Sequence, residues 1–216
     1  MTSFARDERL ALADLLDDFG PDAPTLCEGW TTRDLAAHLV LRERRPDAAP
    51  GIVVPGLSMW TRRVQDGVAS RPYDETVHAI RTGPPRWSPF RLPGMDESAN
   101  FIEYLVHHED VRRAQQGWLP RPFDAGTEDA VWARLRGMAR LLHRRVPVAM
   151  VLRRAGGDAS GAPQEVRAGG KRGEVVVSGA PVELLLYSFG REEATDVTVE
   201  GDPAAVELAR SARRGL

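Results

Sequence analysis

A single cysteine, Cys27, stands in the 216-residue chain, so no disulfide can form within it. That suits a reducing compartment. Lysine is nearly absent too: Lys171 is one of 29 basic residues and the other 28 are arginine, a bias that reads as GC-rich coding and says nothing of function. The formal net charge is only −2. A strong basic field, as nucleic-acid or anionic-membrane binding needs, is therefore missing. No run approaches the roughly 20 apolar residues of a membrane span. Residues 1–8 are polar and acidic and lack the apolar core of a signal peptide. The expectation is a cytoplasmic protein with no membrane and no nucleic-acid partner. The Gly-rich stretch 156–173 carries neither a P-loop nor a dinucleotide fingerprint.

What the chain does have is an ordinary globular composition, 42% hydrophobic and 28% charged, at a length that suits one large or two small domains. Apolar spacing predicts helices over 3–19, with Ser3 as cap and Phe4, Leu12, Leu15, Leu16 and Phe19 inward, and over 32–45, capped by Thr31 with Asp34 three residues on. Others follow over 57–70 (Leu57, Trp60, Val64 and Val68 inward), over about 74–82 with Asp74 as cap, over 96–116, and over 126–145 with Leu141 among its inward residues. Pro-rich and Gly-rich loops fill 46–56 and 83–96. Pro147 marks a change of pattern. Strands are expected at 148–153, 165–168, 174–178 and 195–200, a helix at 181–189, and a last helix with Asp202 as N-cap and Pro203 at its first position. The expected fold is mainly α: a helical domain over 1–146 and a small α+β domain over 147–216.

The chain is organised around residues 100–111. At about 100° per residue, Ala99, Ile102, Glu103, Val106, His107, Asp110 and Ala114 share one face of that helix. A carboxylate and an imidazole one turn apart then point inward with apolar neighbours, and buried polar groups need partners. On the second helix His38 shares a face with Leu35, Leu39 and the stem of Arg42. Two imidazoles and a carboxylate are three ligands that zinc accepts, with a fourth position left for water or substrate. Asp110, near His107, is placed to orient its other ring nitrogen from outside the ligand set. His108 lies about 100° further round and is not expected to ligate. Spacing alone leaves a second reading open, in which Glu103 and His107 form a plain i, i+4 pair and His38 is a satisfied core histidine.

The segment 25–39, Thr-Leu-Cys-Glu-Gly-Trp-Thr-Thr-Arg-Asp-Leu-Ala-Ala-His-Leu, resembles the N-terminal signature of the mycothiol-dependent maleylpyruvate isomerase-like proteins, a branch of the DinB-like metal-binding four-helix bundles. Glu103-x-x-x-His107, running on through His108-Glu109-Asp110-Val111-Arg112-Arg113, resembles their second signature. The nearest likeness is to an uncharacterised metal-binding branch. Residues 173–191 and 199–202 are similar to the small C-terminal domain of the isomerase. The resemblance implies a DinB-like four-helix bundle and a divalent metal, usually zinc, on His38, Glu103 and His107. It also implies mycothiol as cosubstrate in some members, and a catalytic arginine at the position of Arg191. Substrate identity does not transfer with a fold.

The expected function is thus a metal-dependent enzyme that uses or modifies a low-molecular-weight thiol, a thiol transferase or thiol-dependent isomerase acting on a small thiol and an electrophilic substrate. The alternative is a non-catalytic sensor that binds a metal or a thiol conjugate. Cys27, just before a helix, reads either as a thiol nucleophile or as a small buried apolar residue. His78 and His143 read as surface histidines. The tryptophans read as core, except Trp87, which is placed to line a pocket mouth.

Overall fold

The computed structural model describes residues 4–45, 47–48, 54–85, 88, 95–156, 164–212 and 214–215, with backbone alone for 55 and 95–99. Ser3, Trp87, the side chain of Ala99 and most of the loops 46–56 and 83–96 lie outside the described residues. The molecule is mainly helical, with eight α-helices and one four-stranded sheet among the described residues. It divides into two units, Met1–Leu119 and Pro120–Leu216.

The N-terminal unit holds α1 (Phe4–Phe19), α2 (Thr32–Arg44), α3 (Ser58–Ala69), α4 (Tyr73–Thr82) and α5 (Met95–Arg113). Helix α1 lies against α4 and α5, and α2 against α3 and α4. On α1 the inward line is Ala5, Arg9, Leu12, Ala13 and Leu16, at helical spacing. Phe19 was expected to continue that line but is exposed, at the helix end just before Gly20 turns the chain. In α3 the inward residues are Thr61, Val64 and Val68, while Leu57 and Trp60, expected inward, are exposed. Thr61 tolerates burial because its hydroxyl donates to the Ala48 carbonyl at 2.6 Å. In α4, Asp74 falls inside the first turn and the N-cap is Pro72, not Asp74.

Helix α5 is buried on every side from Phe101 to Val111 apart from the half-buried Ile102 and Glu103. It is rich in ionisable groups, so each needs a partner. Arg113 Nε donates to Glu109 Oε2 at 2.7 Å and Arg112 Nη1 to the same oxygen at 3.0 Å. His108 Nδ1 sits 2.8 Å from Glu8 Oε2 of α1. Glu43, on α2, receives the Tyr104 hydroxyl at 2.6 Å, the Asn100 amide at 3.3 Å and Arg9 Nη2 at 3.3 Å on one oxygen.

The C-terminal unit begins with α6 (Ala125–Leu142), capped by Asp124, whose Oδ1 accepts from the Thr127 amide at 2.9 Å. Strands β1 (Ala149–Arg154), β2 (Gln164–Gly169), β3 (Glu174–Gly179) and β4 (Val197–Gly201) form a sheet in the order β2-β1-β3-β4. Only the β1–β3 pairing is parallel. Met150 faces Val175 and Leu152 faces Val177 across it, all four fully buried. Helix α7 (Pro181–Ser188) packs on α6, β1, β3 and β4. Its Leu184, Leu185 and Leu186 are inaccessible, each contributing roughly 1.5–3 kcal/mol of burial. Helix α8 (Pro203–Arg210) starts with Asp202 accepting from the Ala204 amide at 2.9 Å, as the Asp-Pro pair foretells. After β2 the chain crosses its own entrance so closely that a Cβ on Gly170 would stand 2.1 Å from the Pro147 carbonyl oxygen.

The domain boundary corrects the expected division at 146/147. Helix α6 packs on α7 and β2, so it belongs to the C-terminal unit, and the boundary falls after Leu119. Pro147 interrupts the chain's direction and not its core. Leu141, expected inward, is exposed; the inward residues of α6 are Thr127, Val131, Trp132, Leu135, Ala139 and Leu142.

His143 is a second correction, for it is wholly buried and not at the surface. The Ser188 hydroxyl donates to the Leu184 carbonyl at 2.7 Å, so it accepts from His143 Nε2–H at 3.0 Å. Burial first, and then the charge of Arg214, push the His143 imidazole down to about 4. A histidine held neutral by the fold binds fewer protons folded than unfolded, so its stabilising share is complete above about pH 6.5 and is lost as pH falls through about 4. Urea denaturation at pH 7 and pH 4 should therefore show a smaller acid loss in His143→Gln than in the wild type. The difference should be on the order of 3 kcal/mol. Equal slopes would refute this account of the residue.

Candidate metal centre

Two devices bring the site together in the N-terminal unit. The first is the start of α2. The Thr31 amide and hydroxyl both donate to Asp34 Oδ2 at 2.9 Å, which fixes where the helix begins and so which residues face inward. Helix α2 is then buried almost all round, His38 with it. The second is the connector of residues 20–31. The Leu26 amide donates to the Asp110 carbonyl at 3.0 Å and pins this connector to α5. It closes on itself through the Trp30 amide on the Cys27 carbonyl at 2.9 Å, a turn that passes Gly29 at a φ of 75°.

His38, Glu103 and His107 converge as expected. Glu103 Oε1 stands 3.1 Å from His38 Nε2 and 3.3 Å from His107 Nε2. Donors held at about 2 Å around one tetrahedral ion stand about 3.3 Å apart, so the spacing fits a shared ion. The donor chemistry, two imidazole nitrogens and one carboxylate oxygen, also fits. These three residues could hold a metal ion, and among the described residues no fourth His, Cys, Asp or Glu joins them. Asp110 takes the expected place, with Oδ2 3.0 Å from His107 Nδ1, the ring nitrogen that faces away from Glu103.

The electrostatics follow from burial and pairing. Burial alone would raise Glu103, but hydrogen bonds from His107 and His38, with the charges of His107 and Arg42, hold it well below the usual carboxylate range. Burial would lower His107, yet its bonds to Asp110, Cys27 and Glu103 push it well above the ordinary imidazole value. His38 is lowered, chiefly by burial, against the pull of its Glu103 bond. The arrangement is therefore a cationic His107 between two carboxylates, beside a neutral His38.

Three neighbours join the site that the sequence did not place there. Arg42, noted only for its stem, brings Nε to 3.3 Å from Glu103 Oε1 and donates through Nη1 to Asn100 Oδ1 at 2.8 Å. Trp30 packs against the hydrophobic core as expected, and its ring also stands 5.1 Å from the His38 ring, so it walls the site. Cys27 is half-buried, with Sγ 3.2 Å from Asp110 Oδ2 and 3.9 Å from His107 Nδ1. Position ahead of a helix was its only signal in the sequence, and that did not show which side of His107 it would meet. His78 is exposed, as expected.

Arg191 lies in the C-terminal unit. It precedes the 3-10 turn Glu192–Ala194, and its Nη1 donates to the Phe189 carbonyl at 2.7 Å. That bond is the ordinary service of a cation at a helix end.

No family model matches the chain, and no curated protein or solved structure matches it either. No helix among the described residues is long and apolar enough to cross a membrane.

His107 and His108 separate the site from its surroundings. His107→Ala removes a donor, whereas His108→Ala removes a partner of Glu8 on another side of the helix. Plasma emission analysis should find a bound divalent ion retained in His108→Ala and lost in His107→Ala. The His108 variant should instead lose roughly 1–3 kcal/mol of stability. The opposite pattern of retention would place the site on the wrong ring.

Proposed function

We propose that this chain is a metal-dependent enzyme that uses or modifies a low-molecular-weight thiol, either a thiol transferase or a thiol-dependent isomerase. The observation that carries the reading is the convergence of His38 Nε2 and His107 Nε2 on one oxygen of Glu103. The two signatures around these residues support it, since they resemble those of DinB-like, mycothiol-dependent isomerase-like bundles. On this reading the helices of the N-terminal unit form a bundle of that kind, and the ion is zinc. Three protein donors favour a working site over a structural one, which normally takes four.

A divalent ion there supplies Lewis acidity, lowering the pKa of a thiol or water bound to it. The chain's own residues do the rest. Glu103 stays ionised because two imidazoles and Arg42 surround it. Asp110 fixes the ring of His107 from behind. Trp30 holds the His38 ring from one side. The cosubstrate is a small thiol such as mycothiol and the substrate an electrophile, and the resemblance assigns Arg191 a catalytic role.

Elemental analysis of the purified protein should find close to one divalent ion per chain. Loss of an outer-shell partner alone costs roughly 10–100-fold in metal affinity, so Glu103→Gln should cost at least that. The loaded protein should then consume a small thiol in the presence of one member of a panel of electrophiles, and Glu103→Gln should not. A wild type that neither contains nor takes up a divalent ion refutes the reading. Retention of the ion with no turnover across the panel leaves a binding protein and not an enzyme.

Arg191→Lys tests that role. Lysine keeps the charge and a donor for the Phe189 carbonyl but loses the planar fork that grips a carboxylate. A fall in turnover of about tenfold or more, at unchanged thermal midpoint, is the expected outcome; 1.4 kcal/mol corresponds to that factor. Unchanged turnover assigns Arg191 to the helix end alone.

A further inference from the structure

His107 has two nitrogens, and each faces a different donor set. Nε2 looks toward Glu103 and His38. Nδ1 lies 3.0 Å from Asp110 Oδ2 and 3.9 Å from Cys27 Sγ, while Sγ and Oδ2 are 3.2 Å apart. Cysteine sulfur, imidazole nitrogen and carboxylate oxygen bound to one tetrahedral ion at about 2.0–2.3 Å stand about 3.3–3.5 Å from one another. The edges of the second triangle bracket that figure, its sulfur–nitrogen edge being the long one, and Cys27, His107 and Asp110 together could hold an ion. Its corners are fixed by separate elements. Asp110 and His107 are less than one turn apart on α5, and the connector carrying Cys27 is bonded to the Asp110 carbonyl through Leu26. Asp110 is fully buried, whereas Cys27 is half-buried.

A neutral imidazole carries one N–H and one lone pair. With the lone pair on Nε2, His107 completes the set with His38 and Glu103, and its Nδ1–H donates to Asp110. With the lone pair on Nδ1, it completes the set with Cys27 and Asp110, and its Nε2–H donates to Glu103. Each carboxylate is a ligand in one arrangement and a hydrogen-bond acceptor in the other.

We propose that the chain offers a second, sulfur-containing metal site at Cys27, His107 and Asp110, alternative to the His38–Glu103–His107 site because both need the same imidazole. The softness of the ion selects between them. Thiolate sulfur favours soft, thiophilic cations such as Cd²⁺, while the all-nitrogen-and-oxygen set suits borderline and harder ones. On binding at the sulfur site the Cys27 thiol and the Nδ1–H of the cationic His107 each release a proton to solvent, and the thiolate and the freed Nδ1 lone pair coordinate the ion. The inference shares His107 with the proposed enzyme centre but does not depend on catalysis or on which ion that centre takes.

The test is a Cd²⁺ titration of the full chain after chelator treatment, followed by ultraviolet thiolate-to-cadmium charge-transfer absorption and by calorimetry. The wild type should develop the absorption and saturate at one ion per chain. His38→Ala, which cripples only the first set, should keep the absorption at full amplitude. Cys27→Ser should lose it entirely while calorimetry still records one ion on the nitrogen and oxygen donors. A wild type without the absorption, a His38→Ala variant without it, or two ions bound at once overturns the proposal. Should His38→Ala fail to fold, Glu103→Gln makes the same discrimination. Failure of the enzyme centre looks different: Cys27→Ser would then bind no ion, while the absorption in the wild type would persist.

Discussion

A charge taken out of water must find a partner, and in the N-terminal unit this requirement sets how the helices meet. Glu43 is the clearest case. Its side chain is almost wholly enclosed, and one oxygen receives Arg9 from α1 and both Tyr104 and Asn100 from α5 while its own backbone belongs to α2. Three helices are thereby registered on a single atom. Removing one member of such a buried group typically costs about 3–5 kcal/mol, because the others are left without compensation. Arg9 also lies over the Tyr104 ring at 5.0 Å, and Tyr104 is pushed well above the ordinary phenol range by burial and by the neighbouring carboxylate. The hydroxyl therefore remains a donor.

The candidate metal centre obeys the same rule a short way along α5. Glu103 and Asp110 bring two carboxylates into the interior, and His107 stands between them and carries the compensating charge. His38 and Cys27 are the flanking groups that complete the hydrogen bonding. A cluster whose charge is balanced by a proton on its own imidazole is one in which a cation can take over the balancing. Buried ion pairs that serve packing alone, such as Glu109 with Arg112 and Arg113, have fixed cations and no such freedom.

Much of this was legible in the chain, and the failures share a cause. The capping pattern of Thr31 and Asp34 placed α2, and the i, i+4 spacing placed Glu103 above His107, so the two helices that carry the candidate site, and Asp110 beside His107, could be read from local rules. The strands after Pro147 and the Asp202-Pro203 helix start were equally local. Angular reading assumes one inward face, and α5 has none: His108 and Glu109 are as enclosed as His107, each matched by a residue remote in sequence or by the following turn. His143 misled for the same reason, because the serine that makes its burial tolerable is 45 residues away. The boundary at 119/120 was missed because α6 looks like another bundle helix; nothing in its own periodicity says that its apolar side is covered by α7 and β2.

The bond from the Leu26 amide to the Asp110 carbonyl makes the connector between the first two helices a measured spacer. It gives a carbonyl in the last turn of α5 a partner from outside the helix. Loops are usually where a fold accepts insertions, permuted termini and grafted tags. This one is an exception: it sets Trp30 against the His38 ring and the Cys27 sulfur against Asp110, so lengthening it should disturb both contacts. In an engineered version of the protein, the sites to open are elsewhere on the surface, such as the exposed turn after α5 that contains Gly117.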